Sequence, residues 1–199
     1  MNSQLWWYTA RSAGVVSWVL LASSVVWGLA LSTKAFGRRA RPNWLLDLHR
    51  FLGGTALVFV VTHVVSIMFD SYVSFGLVEV LVPFTGTWHP TAVAWGIVGF
   101  YLLLAVEVTS LLRKRLSKRA WRLTHYLSFP LFIVATVHVL AAGTDRQTFL
   151  LRAVMGVTTV AIVALTVIRL VKADRHDLMT SPKPSPSSRP RRPSPVAPR

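Results

Sequence analysis

Five stretches of this 199-residue chain are apolar and long enough to cross a membrane as helices, and they constrain its fold more than any other feature. A membrane-crossing helix needs about 20 predominantly apolar residues. The stretches cover residues 13–32, 51–69, 91–112, 123–142 and 149–168. The chain is 53% hydrophobic, with a mean hydropathy of +0.50, which is typical of an integral membrane protein. We therefore predict an all-α, multi-pass helix bundle in the cell membrane, with five transmembrane helices.

Lysine and arginine are distributed unevenly between the two sides of this predicted bundle. Of the 22 such residues, five lie between the first and second spans, six between the third and fourth, and eight after the fifth. Because cytoplasmic loops are enriched in these residues, we expect the N-terminus outside and the C-terminus in the cytoplasm. Topology and attraction to the lipid bilayer then explain the net charge of +15. No nucleic-acid-binding motif accompanies the charge, so we expect no nucleic-acid partner.

Two segments fall outside the five spans. Segment 72–84 is apolar but only thirteen residues long, so we expect an interfacial or re-entrant piece on the outer face. The end of the chain is rich in Pro, Ser and Arg and cannot bury a core. We therefore divide the chain into a transmembrane domain, residues 1–172, and a disordered cytoplasmic tail, residues 173–199.

Four histidines lie on two of the spans, in two pairs of nearly equal spacing. His49 and His63 are fourteen residues apart, and His125 and His138 are thirteen apart. The second and fourth spans run in the same direction, so a rise of about 1.5 Å per residue puts these histidines at two matching depths about 20 Å apart. We expect His49 beside His125 near the inner leaflet, and His63 beside His138 toward the outer leaflet.

Such a pair of imidazoles can hold the iron of a b-type heme between them. A histidine in hydrocarbon is costly and needs a reason, and a neutral imidazole is a good iron ligand. The chain has no cysteine, which excludes iron–sulfur clusters and covalent heme attachment. We therefore expect two heme b groups, one held by His49 and His125 and the other by His63 and His138. The alternative is that the histidines only form hydrogen bonds between helices.

For both pairs to form, the two histidines of each span must face the other span. Fourteen steps leave His49 and His63 about 40° apart around their helix, whereas thirteen steps leave His125 and His138 about 140° apart. The fourth span therefore needs a local change of winding. Pro130 lies between its two histidines, and proline interrupts the hydrogen-bond ladder of a helix.

Two stretches carry a resemblance to the ferric-reductase-like transmembrane domain: DLHRFLGGTALVFVVTHVVSI at 47–67 and RAWRLTHYLSFPLFIVATVHVLAAGTD at 119–145. The resemblance extends over roughly residues 10–172. The family includes ferric reductases, NADPH oxidases and the heme subunit of a periplasmic methionine-sulfoxide reductase. It implies two b hemes between two helices, with His49, His63, His125 and His138 as the ligands.

The chain departs from the larger members of that family after its fifth span. Ferric reductases and NADPH oxidases continue into FAD and NAD(P)H domains, but here only about thirty residues follow, without a GxGxxG motif. We therefore expect an oxidoreductase subunit that lacks its own flavin and NAD(P)H domains. It would pass electrons from a cytoplasmic flavin reductase or the quinol pool to an extracytoplasmic acceptor, which could be ferric iron, a flavoprotein or a protein reductase. The alternative is a membrane anchor or docking subunit with structural histidines.

Five further residues are candidates for supporting roles. Arg41, Arg50 and Arg122 lie near the inner histidines in the sequence and could bind heme propionates, or could only set the topology. Glu107, inside the third span, could pair with an arginine or relay a proton, or its carboxylate could extend to the interface. His89, in an outer loop, could meet an electron acceptor or simply be solvated.

Overall fold

The computed structural model describes residues 3–33, 35, 43–71, 73 and 75–180, and within them every regular element is a helix. There are seven: α1 Ser3–Ser32, α2 Asn43–Phe69, α3 Leu77–Leu81, α4 Pro90–Leu111, α5 Lys118–Tyr126, α6 Ser128–Ala142 and α7 Phe149–Thr180. A helix satisfies its own backbone polar groups, which is what a segment in hydrocarbon requires. The predicted all-α class is confirmed.

The prediction of five membrane-crossing segments is also confirmed. Helices long and apolar enough to cross cover Gln4–Ser32, Asn43–Phe69, Pro90–Leu111, Lys118–Ala142 and Phe149–Lys172. The first two begin nine and eight residues earlier than their predicted stretches, because helix continues into flanking residues of mixed polarity. Large apolar side chains such as Val58, Phe149 and Val160 are exposed on the outside of the bundle, where lipid would surround them.

At each end of the bundle, polar contacts join neighbouring segments. At one end, which we call the basic end, the Lys172 ammonium donates to the Thr33 carbonyl at 2.9 Å, and the Trp27 indole donates to the Leu45 carbonyl at 2.8 Å. At the opposite end, which we call the far end, Arg11 of α1 forms a bidentate ion pair with Asp145 in the α6–α7 loop. Each contact joins segments distant in sequence, so both ends fix the order of the helices.

Helix α1 lies at the centre and contacts α2, α6 and α7. One core cluster joins α1, α6 and α7, and its buried members include Trp18, Phe132 and Met155. A second cluster joins four helices at mid-bundle through Leu21, Ala56, Leu103 and Leu131. Ala56 is midway between the two histidines of α2, so this second cluster forms an apolar layer between the two histidine levels.

The fourth span is interrupted, as helix phase requires. Helix α5 ends at Tyr126 and α6 begins at Ser128, with a tighter turn at Leu127, whose amide donates to the Thr124 carbonyl three residues earlier at 3.0 Å. Pro130 is the third residue of α6. A proline in the first turn is tolerated, but it has no N–H with which to continue the ladder of the preceding helix. The break therefore falls one turn before the proline.

Two further segments and one candidate residue bear on the predictions. Among the described residues of the apolar segment between α2 and α4, the one regular element is the one-turn helix α3, which is far too short to cross a membrane. Helix α7 continues to Thr180 and so includes the first eight residues of the segment expected to be a tail, while residues 181–199 lie outside the described part. Arg41 also lies outside the described residues.

Candidate functional site

The bundle brings the four histidines together in two pairs. The ring centroids of His49 and His125 are 6.0 Å apart, with their planes at 79°. Those of His63 and His138 are 6.4 Å apart, with their planes at 77°. We call the first the basic-end pair and the second the far-end pair. Both pairs join α2 to the α5–α6 segment, so these two elements run in the same direction.

Three of the four imidazoles are oriented by a backbone carbonyl of a neighbouring helix. The Nδ1 atoms of His49 and His63 lie 3.1 and 2.7 Å from the Ser24 and Ala10 carbonyl oxygens of α1. The Nδ1 atom of His138 lies 2.8 Å from the carbonyl oxygen of Ala92 in α4. A carbonyl oxygen only accepts, so each Nδ1 carries the proton and each Nε2 keeps its lone pair. Metal-binding histidines are typically held in this way.

His125 has different neighbours. Its Nδ1 atom is buried without a hydrogen-bond partner, and so is the indole Nε1 of Trp121 one turn earlier on α5. The two rings stack, with centroids 5.2 Å apart and planes at 20°. The Arg113 guanidinium lies over the Trp121 indole, 4.5 Å from the centre of that ring. Packing, rather than a carbonyl, therefore orients this imidazole.

The separation within each pair fits a metal ion between the rings. An imidazole nitrogen lies about 2 Å from a bound first-row metal ion and roughly 1.1 Å from its own ring centre, so rings on opposite sides of one ion have centroids about 6.2 Å apart. The observed 6.0 and 6.4 Å agree with this value. Each pair alone gives too few ligands for a structural zinc ion, and within the described ranges no group of three or more His, Cys, Asp or Glu gathers. A porphyrin supplies the four remaining nitrogens, so the pairs fit heme.

A cavity of about 250 Å³ surrounds the far-end pair. The apolar layer of Leu21, Ala56, Leu103 and Leu131 lines it, and so do Arg11, Asp145 and Trp88 of the far end. The cavity therefore reaches from mid-bundle, past His63 and His138, to the polar residues of the far end.

A family model described as "Ferric reductase like transmembrane component" matches residues 6–136, well over half of the chain. The chain belongs to the ferric-reductase-like transmembrane family. The matched range includes His49, His63 and His125 and ends two residues before His138. No curated protein and no solved structure matches the chain significantly. Membership confirms the resemblance found in the sequence and indicates a membrane electron-transfer function.

The other candidate residues of this ferric-reductase-like chain lie away from the rings or at their margin. Arg50 is exposed and binds the Asp47 carboxylate at 3.2 Å, and Arg122 is exposed on α5. Glu107 packs against α2, where a Cβ added to Gly53 would lie 2.5 Å from its carboxylate oxygen. His89 is the exposed N-cap residue of α4, with its ring 4.6 Å from that of Trp88.

Trp121 and Arg113 were not predicted as site residues from the sequence. Trp121 is one helical turn before His125, so the i, i+4 spacing of an aromatic residue and a candidate ligand was a usable signal. The contact from Arg113 had no such signal, because it depends on how the α4–α5 turn folds back over the indole.

Proposed function

We propose that this chain is a transmembrane di-heme b cytochrome. His49 and His125 would hold one heme, and His63 and His138 the other. It would carry single electrons from a cytoplasmic flavoprotein or quinol donor to an extracytoplasmic acceptor such as ferric iron, a flavoprotein or a protein reductase. The observation that carries the proposal is the pairing of imidazoles at 6.0 and 6.4 Å at two levels of one bundle.

The residues around the pairs support a role in electron transfer rather than in binding oxygen at the metal. A heme held by two imidazoles would supply a one-electron iron couple and leave no iron position for oxygen. The three Nδ1–carbonyl contacts hold the rings in one tautomer and orientation, so little rearrangement accompanies a change of charge. The buried apolar side chains of the mid-bundle layer separate the two levels.

Heme content of the purified protein tests the proposal directly. We expect a b-type reduced-minus-oxidised spectrum and two hemes per chain by pyridine hemochrome assay, because there are two ligand pairs. His89→Ala is the matched control, since it removes an exposed histidine and should leave the heme content unchanged. A folded protein that takes up no heme would contradict the proposal and favour the docking subunit with structural histidines.

Transfer of electrons across a bilayer is the second part of the test. In liposomes that contain the heme-loaded protein, external dithionite should reduce ferricyanide trapped inside. Heme-free protein prepared in the same way should not support that reaction. Equal rates in both preparations would mean that leakage, rather than the protein, carries the reducing equivalents.

The orientation in the membrane is part of the same proposal. The basic loops favour a cytoplasmic basic end, with the far end outside. Because the chain has no cysteine, single cysteines can be introduced at Thr87 and Lys114 without background labelling. In intact cells an impermeant thiol reagent should label Thr87→Cys and spare Lys114→Cys. The reverse pattern would invert the proposed topology.

A further inference from the structure

Three glycines lie directly against the histidine rings. A Cβ added to Gly14 would lie 2.9 Å from Nδ1 of His63, and one added to Gly28 would lie 3.1 Å from Cε1 of His49. A Cβ added to Gly96 would lie 2.7 Å from Cε1 of His138. All three distances are shorter than ordinary van der Waals contact, so even alanine would displace the imidazole or its helix.

Each of these glycines is four residues after the carbonyl that accepts from the same histidine. The pairs are Ala10 with Gly14, Ser24 with Gly28, and Ala92 with Gly96. In a helix, a side chain leans toward the N-terminus and covers the turn before its own Cα. Residue i+4 therefore covers the carbonyl of residue i. Only glycine leaves the second lone pair of that carbonyl open to a bulky donor from another helix.

We infer that Gly14, Gly28 and Gly96 are ligand-positioning residues. Each keeps open the one space in which an imidazole can reach the carbonyl a turn earlier and turn its Nε2 lone pair to a metal. This inference rests on the proposed function for the identity of the metal group. The contacts between glycine, carbonyl and ring involve only atoms of this chain and can be tested separately.

The spacing of two of these glycines supports the assignment independently of the contacts. Gly14 and Gly28 are fourteen residues apart on α1, and His49 and His63 are fourteen apart on α2. The helices are antiparallel, so the first glycine meets the second histidine and the second glycine the first. Equal spacing on two neighbouring helices repeats the same contact at both levels.

Alanine substitutions test the inference, with two matched controls in the same bundle. Gly54 and Gly156 have open space where a Cβ would be added, so Gly54→Ala and Gly156→Ala should bind both hemes as the wild type does. Loss of an outer contact that orients a metal-binding histidine typically weakens metal affinity about 10- to 100-fold. We expect Gly14→Ala and Gly96→Ala to weaken the far-end site by that factor, and Gly28→Ala to weaken the basic-end site less, because its contact is longer.

The measurement is titration of the heme-free protein with hemin, together with the spectrum of any heme that stays bound. A displaced imidazole should convert a low-spin bis-histidine spectrum into a high-spin one at the affected level, which a general loss of stability would not do. Wild-type affinity in all three alanine variants would overturn the inference, and so would equal losses in the two controls. Absence of heme from the wild type would instead contradict the proposed function.

A second measurement does not depend on whether the alanine variants fold. In heme-free wild-type protein labelled with nitrogen-15 histidine, the Nδ1 resonances of His49, His63 and His138 should be those of a protonated nitrogen with a hydrogen bond. Single histidine-to-glutamine variants assign the signals. Protonation at Nε2 in these three rings would show that the carbonyls are not their acceptors, and the inference would be wrong.

Discussion

The far-end pair and the basic-end pair have the same ligands but are held by different means. At the far end, both Nδ1 atoms contact helix carbonyls, at 2.7 and 2.8 Å, and both rings lie against a glycine. At the basic end this holds only for His49. His125, on the short helix α5, instead stacks on the Trp121 indole, over which lies the Arg113 guanidinium of the α4–α5 turn. One site is thus built from rigid backbone, and the other partly from side chains.

This difference has consequences for stability and for tuning. Backbone acceptors on long packed helices cannot move without moving the bundle, so the far-end site should be the more rigid of the two. A hydrogen bond to Nδ1 makes a metal-bound imidazole more basic, and the far-end pair has two such bonds where the basic-end pair has one. The two sites should therefore respond differently to the same kind of substitution.

The largest effect should come from the ligands themselves. His63→Ala and His138→Ala should each remove one heme, leaving one per chain with an intact bis-histidine spectrum, because the other pair lies beyond the apolar layer. His49→Ala and His125→Ala should each remove the other heme. The pyridine hemochrome assay and the spectrum of the remaining heme distinguish the four variants. Loss of both hemes in every variant would show that the sites are not independent.

A second substitution should act on one pair only, through the break between α5 and α6. Pro130→Ala supplies the N–H that would let α5 continue into α6, and an unbroken helix would turn His125 about 140° away from His138. We expect heme affinity at the basic-end site to fall at least about tenfold, with little change at the far end. Hemin titration measures both. Unchanged affinity at both sites would mean that Leu127, rather than Pro130, fixes the break.

The stack at the basic end should contribute a smaller amount. Aromatic stacking contributes about 0.5–1.5 kcal/mol beyond burial, which corresponds to roughly 2- to 10-fold in affinity. Trp121→Leu should weaken the basic-end site by that factor, whereas Trp121→Phe should retain most of the affinity. Trp95→Leu, which changes a partly exposed tryptophan of α4, is the control. If Trp121→Leu lowered heme affinity equally at both sites, the proposed difference in how the two pairs are held would be wrong.

The smallest effect should be at the far end, where Arg11 binds Asp145. The hydrogen bond and charge of Arg11 hold the pKa of the Asp145 carboxyl below its usual range. The ion pair therefore stabilises the fold above the pKa of the unfolded chain, and this stabilisation is lost as the pH falls through the lower folded pKa. Because both side chains are partly exposed, Asp145→Asn should lower the Tm by less than about 3 °C near pH 7.

The same pH argument supplies a check on that last prediction. The difference in Tm between wild type and Asp145→Asn should disappear in acid, where the wild-type carboxyl is protonated as well. Thermal unfolding in detergent, followed by circular dichroism at several pH values, measures the difference. A difference that persists unchanged into strong acid would mean that Asp145 acts through packing rather than charge.

The sequence was sufficient for the spans and for the direction of the chain through the bundle. Apolar stretches of membrane-crossing length determine where helices form, and their alternation makes the second and fourth spans parallel. Parallel spans with matched spacing then predicted that His49 would lie beside His125 and His63 beside His138, as the structure has them. The phase mismatch at Pro130 predicted an interruption, although the break itself is at Leu127.

Contacts between helices could not be predicted in the same way. Hydrophobicity around the membrane helices is nearly uniform, so it does not indicate which face of α1 meets α2. Gly14 and Gly28 were therefore overlooked, although their fourteen-residue spacing repeats that of His49 and His63. The position of Arg50 beside Asp47 was also unforeseen, because an exposed arginine has several partners within reach.

The use of main-chain oxygens to hold the histidines has a consequence for how the protein tolerates change. No substitution can delete a carbonyl, so exchanges among small residues at positions 10, 24 and 92, whose side chains are buried, should keep the acceptor as long as helix persists. The sensitive positions are the glycines one turn later, Gly14, Gly28 and Gly96, where every substitution adds side-chain volume. A saturation library should therefore tolerate several small residues at positions 10, 24 and 92 but only glycine four residues later.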